Sequence, residues 1–394
     1  MKAAICYEAG KPLVIEEINI QPPQNDEIRV KVRSCGICQS DQHYLSGAWS
    51  GLPFPVICGH EVSGTVIECG PNATKHKIDD RVIVSLVKNC GLCKYCKLGM
   101  SVICEGPLPV HTEERIHDAN GVRIFQGLKT GGFSEEIVVH SSQAVQIGNN
   151  ISFEEASLIA CGVLTGLGSV LNTAKVEPEK SVVVIGLGGV GMNCIQGASI
   201  ANAHPIIGID IESSKFELAK TCGANFTFNP GKLDVVEAVK EITNGDGADY
   251  VFIAAGSNEA IEIGSNILAK LGTMSLVALQ ATGVSTKIKT GLVVNQNQKI
   301  LGSKMGSITL SKDVPKILKY YDEGKLKLAE LIAYRDKLEN INESVPDAPP
   351  INVLILCLQP NDWKRQEGKE YRSLSIVRFG DDKELRDNLQ KISG

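Results

Sequence analysis

The stretch Ser181-Val182-Val183-Val184-Ile185-Gly186-Leu187-Gly188-Gly189-Val190-Gly191 decides the architecture. A short apolar run of β-branched residues reads as a buried strand, and the glycines behind it spell G-x-G-x-x-G where a helical pattern opens, from about Gly189 to Ala201. Gly186, Gly188 and Gly191 at this spacing allow a tight turn and bring backbone close to a pyrophosphate, which lies on the positive end of the helix. The motif alone is a weak signal, and a glycine-rich turn that binds nothing is its plain alternative. Asp210 strengthens it, because it ends the next strand 19 residues after Gly191, where a carboxylate would bind the adenosine ribose hydroxyls. A carboxylate there repels a 2′-phosphate and no arginine follows closely, so NAD is favoured over NADP.

Outward from this motif, strands and helices alternate. Pro205 to Asp210, Ala248 to Ala254 and Thr273 to Leu279 read as strands, and Ser214 to Cys222 as a helix, which together predict a parallel sheet covered on both faces. The first 150 residues differ. Runs such as Glu27-Ile28-Arg29-Val30-Lys31-Val32 and Arg81-Val82-Ile83-Val84, punctuated by Gly and Pro, predict an antiparallel, strand-rich module. After Ser303 a helix is expected over Asp313 to Gly324, followed by a loosely patterned tail without internal repeats.

Composition narrows the class. With 394 residues, 43% apolar and 22% charged, the chain is long enough for two or three globular domains. Forty basic against 45 acidic residues give a net charge of −5, and aromatics make up only 5%, which argues against nucleic-acid binding. The N-terminus meets Glu8 before an apolar segment can form, so no signal peptide is expected and a cytoplasmic location is. The apolar run Val353 to Leu358 is too short to cross a membrane. In a reducing compartment, thirteen cysteines point to metal ligands, catalytic groups or core residues rather than disulfides.

Cys90, Cys93, Cys96 and Cys104 form C-x2-C-x2-C-x7-C in a polar loop with no core to join. Four thiolates so close in sequence can close a tetrahedron around zinc, an iron–sulfur cluster being the other use of such a set. Four protein ligands leave no open position, so the role would be structural. Cys38, His60 and Cys161 are dispersed; as three ligands they would leave a fourth position for substrate or water. Singly, Cys161 reads more readily as a core cysteine and His60 as a satisfied polar residue. Ser40 and His43, just after Cys38, could pass a proton outward from a metal-bound hydroxyl.

With these motifs in place, the chain from Met1 to about Ser344 resembles the zinc-dependent medium-chain alcohol dehydrogenases. The resemblance implies an α/β plus β-rich fold, a GroES-like catalytic domain with an inserted Rossmann coenzyme domain, a doubly wound parallel sheet. Residues 1–162 would be catalytic with two zinc sites, 163–303 would bind NAD, and 304–394 would return to the catalytic domain. It implies Cys38, His60 and Cys161 at a catalytic zinc and Cys90, Cys93, Cys96 and Cys104 at a structural one. It further implies Asp41 orienting His60, Glu61 beside the metal, and Ser40 and His43 as proton relay. Thr165 would lie near the nicotinamide, Asp210 and Lys215 at the ribose, and Gln39 toward the pyrophosphate, where relatives usually carry a basic residue. A homodimer or homotetramer is implied as well. One departure stands out at the end: Pro346, Pro349 and Pro350 break the expected helix, so 345–370 reads as an insertion or disordered segment, and the last strand is expected only at Arg372 to Phe379.

The activity implied is reversible oxidation of an alcohol to an aldehyde or ketone with NAD and zinc. Cys161 stands where polyol dehydrogenases place glutamate, which favours simple alcohols. An S-(hydroxymethyl)glutathione-type formaldehyde dehydrogenase is the nearest alternative, and Gly47-Ala48-Trp49-Ser50-Gly51 offers none of the acids it would want. A non-catalytic, zinc-stabilised NAD-binding regulator is the alternative from another class.

Overall fold

The computed structural model describes residues 1–344 and the strand Val353–Cys357. A mainly antiparallel sheet is built on strand β1 (Glu27–Ile37), which runs into helix α1 (Gln39–Leu45). Around it lie β2 (Glu61–Cys69), β3 (Arg81–Val84), β4 (Glu136–His140) and β5 (Ala144–Gln146). Alternate residues of β1 such as Ile28, Val30 and Val32 face one core with Val62 and Val66 of β2, the period-2 pattern of a pleated strand.

The chain then enters α2, a helix of 22 residues over Phe153–Ala174 that is apolar enough by composition to cross a membrane; 83% of its apolar window is buried inside the protein, so it is a core helix. Two stretches of it, Ile159–Val163 and Ser169–Ala174, widen to π-helical turns.

The second sheet is parallel: β6 (Val182–Ile185), β7 (Ile206–Ile209), β8 (Phe226–Phe228), β9 (Ala248–Ile253), β10 (Leu268–Leu276) and β11 (Lys299–Gly302), in the order β8-β7-β6-β9-β10-β11. Strand order reverses at β6, the doubly wound arrangement with a ligand crevice at the switch point. Val182 and Val184 pack with α2 and with helix α3 (Gly189–Ile200), whereas Val183 and Ile185 pack on the opposite face. Both faces are covered, so β6 carries no polar residue.

The chain returns to the first sheet with β12 (Ile332–Asp336) and β13 (Val353–Cys357). The sheet order is β5-β3-β2-β1-β13-β12, with β4 also pairing β1. Here the sequence-based expectation fails. Val353–Cys357, assigned to an insertion or disordered segment, is an interior strand, antiparallel to β1 through Leu354 opposite Ile37 and parallel to β12. The prolines before it stop a helix but do not hinder a strand further on, and its unbroken apolar run is that of an interior strand. The rest of 345–370 and the expected strand at Arg372 to Phe379 lie outside the described residues.

Candidate functional site

At the end of β1 the backbone turns at Cys38, which caps α1. Asp41, the third helical residue, reaches back to accept from the Cys38 N–H at 3.1 Å. The same carboxylate accepts from the Gly59 N–H at 2.8 Å and lies 3.1 Å from His60 Nδ1. Asp41 and His60 are both fully buried. One carboxylate therefore ties α1 to the His60 loop and fixes the ring, leaving Nε2 buried with no protein partner. Buried imidazole nitrogens are normally satisfied, so an orphan of this kind marks a place for an absent group.

Cys161 comes from the first π-turn of α2, a widening often found at functional positions. Its sulfur and the ligand atoms of Cys38, His60 and Glu61 all lie within 4.8 Å of one another. Glu61 fits because a glycine makes room: a Cβ at Gly36 would sit 2.3 Å from one of its carboxylate oxygens. Burial raises the Glu61 carboxyl well above its usual range, helped by the charge of Cys38. Cys38 moves well down, chiefly through its hydrogen bond with Cys161 and also through His60. Burial opposes the protonation of His60, but the charge and hydrogen bond of Asp41 prevail and raise it. Two sulfurs, an imidazole with an unpartnered nitrogen and an adjacent carboxylate suit zinc, with three ligands and room for a fourth.

The second cluster has the same fit. The sulfurs of Cys90, Cys93, Cys96 and Cys104 lie within 4.8 Å of one another. The Cys93 N–H donates to the Cys90 sulfur at 3.3 Å and the Cys96 N–H to that of Cys93 at 3.4 Å. Such backbone donors favour thiolates, and the Cys93 thiol is held down at about 6, first by the Cys96 N–H.

In the glycine turn, Gly186 has φ +94°, and a Cβ there would strike Ala255 at 2.8 Å; a Cβ at Gly191 would lie 1.8 Å from the Gly186 carbonyl. No other residue fits at either place. Gly188 caps α3, so free N–H groups of its first turn face the crevice. Asp210 accepts from the Leu187 N–H at 2.7 Å and from Lys215 Nζ at 3.1 and 3.0 Å, which places both side chains beside the turn. The structure thus forms a cradle with a carboxylate at its rim, as a dinucleotide requires.

Thr165, one helical turn beyond Cys161, is buried with its hydroxyl 3.5 Å from the sulfur of Met305. Met305 lies 3.8 Å from the Cys161 sulfur as well. Sequence alone does not single out Met305 or Gly36; Gly36 stands two residues before Cys38, and that nearness is its only signal. On α1, Gln39 is exposed and Ser40 and His43 are partly buried, three residues apart and so on neighbouring positions of one helix face. The His43 ring packs 5.4 Å from that of Trp49. The loop carrying Trp49 reaches the turn after β10: its indole N–H donates to the Gln280 carbonyl at 3.1 Å, and the Thr282 N–H to that of Ala48 at 3.0 Å.

The chain is similar to known proteins over most of its length. Residues 24–149 match the family model of the alcohol dehydrogenase GroES-like domain, and residues 189–323 that of zinc-binding dehydrogenases. The chain is 33% identical to alcohol dehydrogenase B of Mycobacterium tuberculosis over 356 residues, covering 88% of this chain and 94% of the relative. It is 34% identical to an S-(hydroxymethyl)glutathione dehydrogenase of Synechocystis over 354 residues, covering 87% and 95%. Benzyl alcohol dehydrogenase from Acinetobacter calcoaceticus superposes with a TM-score of 0.84 at 28% identity, covering 91% of this chain and 99% of that one.

Proposed function

Because the chain belongs to the zinc-dependent medium-chain alcohol dehydrogenases, oxidoreductases that interconvert alcohols and carbonyl compounds with NAD, we propose that Cys38, His60 and Cys161 hold its catalytic zinc. The observation that carries this assignment is the buried, unpartnered His60 Nε2 facing two sulfurs. Cys90, Cys93, Cys96 and Cys104 hold the structural zinc. The catalytic part comprises 1–162 and the return after 304, with 163–303 inserted to bind NAD.

Bound zinc supplies a Lewis acid that lowers the pKa of a substrate hydroxyl, and bound NAD supplies the hydride acceptor. The chain supplies position and proton transfer. Asp41 keeps His60 Nε2 directed at the metal. Ser40 takes the hydroxyl proton and His43 passes it to solvent. Burial lowers the His43 pKa from its ordinary 6.5, with the Cys38 charge opposing, so the imidazole is neutral and ready to accept at pH 7. His43→Ala is expected to slow alcohol oxidation by about 100-fold below neutral pH, where hydroxide cannot replace it, and less as pH rises. A pH–rate profile identical to that of wild type would remove His43 from the reaction.

Gly186, Gly188 and Gly191 admit the pyrophosphate, Gln39 faces it, Thr165 lies against the nicotinamide, and Asp210 with Lys215 binds the ribose. Asp210→Gly is expected to weaken NAD binding and raise the relative use of NADP, since it removes ribose hydrogen bonds and the repulsion of a 2′-phosphate together. Equal use of NAD and NADP by the wild type would count against this role.

The substrate we infer is a simple alcohol or its aldehyde. The Synechocystis relative supports a second reading, a glutathione adduct of formaldehyde. A panel of alcohols and aldehydes with and without glutathione, followed by NADH absorbance, separates the two, and inactivity toward every member would refute both. Family membership sets aside the reading as a non-catalytic regulator. A cytoplasmic location is supported by the twelve cysteines from Cys6 to Cys222, none of which is in a disulfide. A homodimer or homotetramer completes the reading, and sedimentation distinguishes them.

A further inference from the structure

The loop tip Ala48–Ser50 stands between two glycines in the left-handed region, Gly47 at φ 76° and Gly51 at φ 78°. Each residue of the tip bonds to the turn that follows β10. The Trp49 indole N–H donates to the Gln280 carbonyl at 3.1 Å, the Thr282 N–H to the Ala48 carbonyl at 3.0 Å, and the Ser50 N–H to the Thr282 hydroxyl at 3.2 Å. The turn is itself fastened to the parallel half of the fold: Gln280 Nε2 donates to Asn258 Oδ1 at 3.0 Å, and Asn258 Nδ2 to the Ser285 carbonyl at 3.3 Å. It leaves the carboxyl end of β10, and the glycine turn leaves the carboxyl end of β6, the side on which such sheets take their ligand. Three bonds therefore clasp the half that carries Cys38 and His60 to the half that carries the nucleotide cradle.

His43 links this clasp to the reaction. It lies in the last turn of α1, a helix of only seven residues. Among the described residues its ring nitrogens have no protein hydrogen-bond partner. The ring packs instead on that of Trp49, with centroids 5.4 Å apart and planes tilted by 38°, and the Trp49 backbone N–H donates to the His43 carbonyl at 3.3 Å. A ring without a hydrogen bond turns about its side-chain torsions unless a neighbour blocks it, and a proton acceptor works only within hydrogen-bond reach of its donor. The neighbour here is the indole.

We propose that Trp49 is a positioning residue for the proton relay: its ring seats His43, and its N–H fixes that seat to the coenzyme-binding half, so the relay is fully formed only while the clasp is closed. The inference rests on the reading of His43 as the outer member of the relay and adds a residue that acts through it.

The test is a double-mutant cycle on the zinc-loaded enzyme, read as kcat for alcohol oxidation below neutral pH. Trp49→Ala is expected to lower kcat by about tenfold, less than the roughly 100-fold for His43→Ala, because the relay is misplaced rather than removed. The solvent deuterium isotope effect on kcat should grow with it. Trp49→Phe keeps a ring against His43 but offers Gln280 no N–H, and should lose about fivefold, the scale of one hydrogen bond. Should Trp49→Ala not fold, Trp49→Phe carries the same cycle. Added to His43→Ala, either change should cost nothing more, because residues that act as one unit are not additive. A further loss in that background overturns the proposal, since Trp49 would then act independently of His43. A raised KM for the alcohol at unchanged kcat also overturns it, because the indole would then be a wall of the substrate site. Wild-type rates in Trp49→Phe overturn the anchoring to Gln280. Full activity of His43→Ala alone refutes the relay reading itself, and is seen without any change at Trp49. Apart from activity, a Trp363→Phe chain leaves Trp49 as its sole indole, and His43→Ala should then shift its emission; unchanged emission overturns the pairing of the two rings.

Discussion

Cys38→Ser is expected to lower kcat/KM by more than the roughly 100-fold that loss of an outer partner of a metal ligand costs, while leaving the fold in place. A serine hydroxyl is a poor zinc ligand beside a thiolate, and the cluster would lose one of its two sulfurs. The fold should survive because position 38 caps α1, and serine is among the best residues there. Metal analysis should fall from two zinc equivalents to one. Cys96→Ser, in the other cluster, should show the opposite pattern: a strong loss of thermal stability, because structural zinc binding is itself folding free energy. A single zinc in fully active wild-type enzyme would overturn the two-site assignment.

Ile355→Pro is the second large effect. Ile355 lies in β13, opposite Gly36 of β1 on one side and Arg335 of β12 on the other. Proline in an interior strand removes a ladder hydrogen bond and leaves its partner's carbonyl unsatisfied, at a cost of about 1–3 kcal/mol for that group alone. Because Gly36 is two residues from Cys38 and its bare Cα makes room for Glu61, the damage should reach the catalytic cluster, seen as both a lower Tm and weaker retention of one zinc. A melting temperature equal to wild type would mean that this strand contributes little to the sheet.

The parallel half of the fold was legible because its signals are local. Val182–Ile185, the helix beginning at Gly189, Ile206–Ile209 and Ala248–Ile253 appear where apolar runs and glycines placed them. The edge strands Phe226–Phe228 and Lys299–Gly302 were not found, since three or four residues with one covered flank leave little pattern. Thr273 to Leu279 began too late, because β10 opens at Leu268 across the polar and glycine positions Lys270 and Gly272. Cys90, Cys93, Cys96 and Cys104 could be read from spacing alone. Cys38, His60 and Cys161 could not, because the turns that bring them within 4.8 Å involve strands and a π-helical turn far apart in sequence; only the resemblance joined them. β13 escapes a sequence reading because the prolines before it point to an irregular tail, although they do not bar a strand a few residues on.

The place of β13 also sets an order of events during synthesis. Its partner β1 emerges from the ribosome about 320 residues earlier, and pairing over such a separation is slow to form. The whole parallel sheet is translated in between, from contiguous chain, and can fold as a unit before the first sheet has its interior strand. Until then the Ser34–Ile37 end of β1 waits with one edge open, carrying the cysteine that follows it. A growing chain therefore acquires its nucleotide cradle first and closes its metal-binding side last. Ribosomes stalled shortly before residue 353 should hold nascent chains whose parallel sheet resists protease while the Ser34–Ile37 end of β1 is still cut.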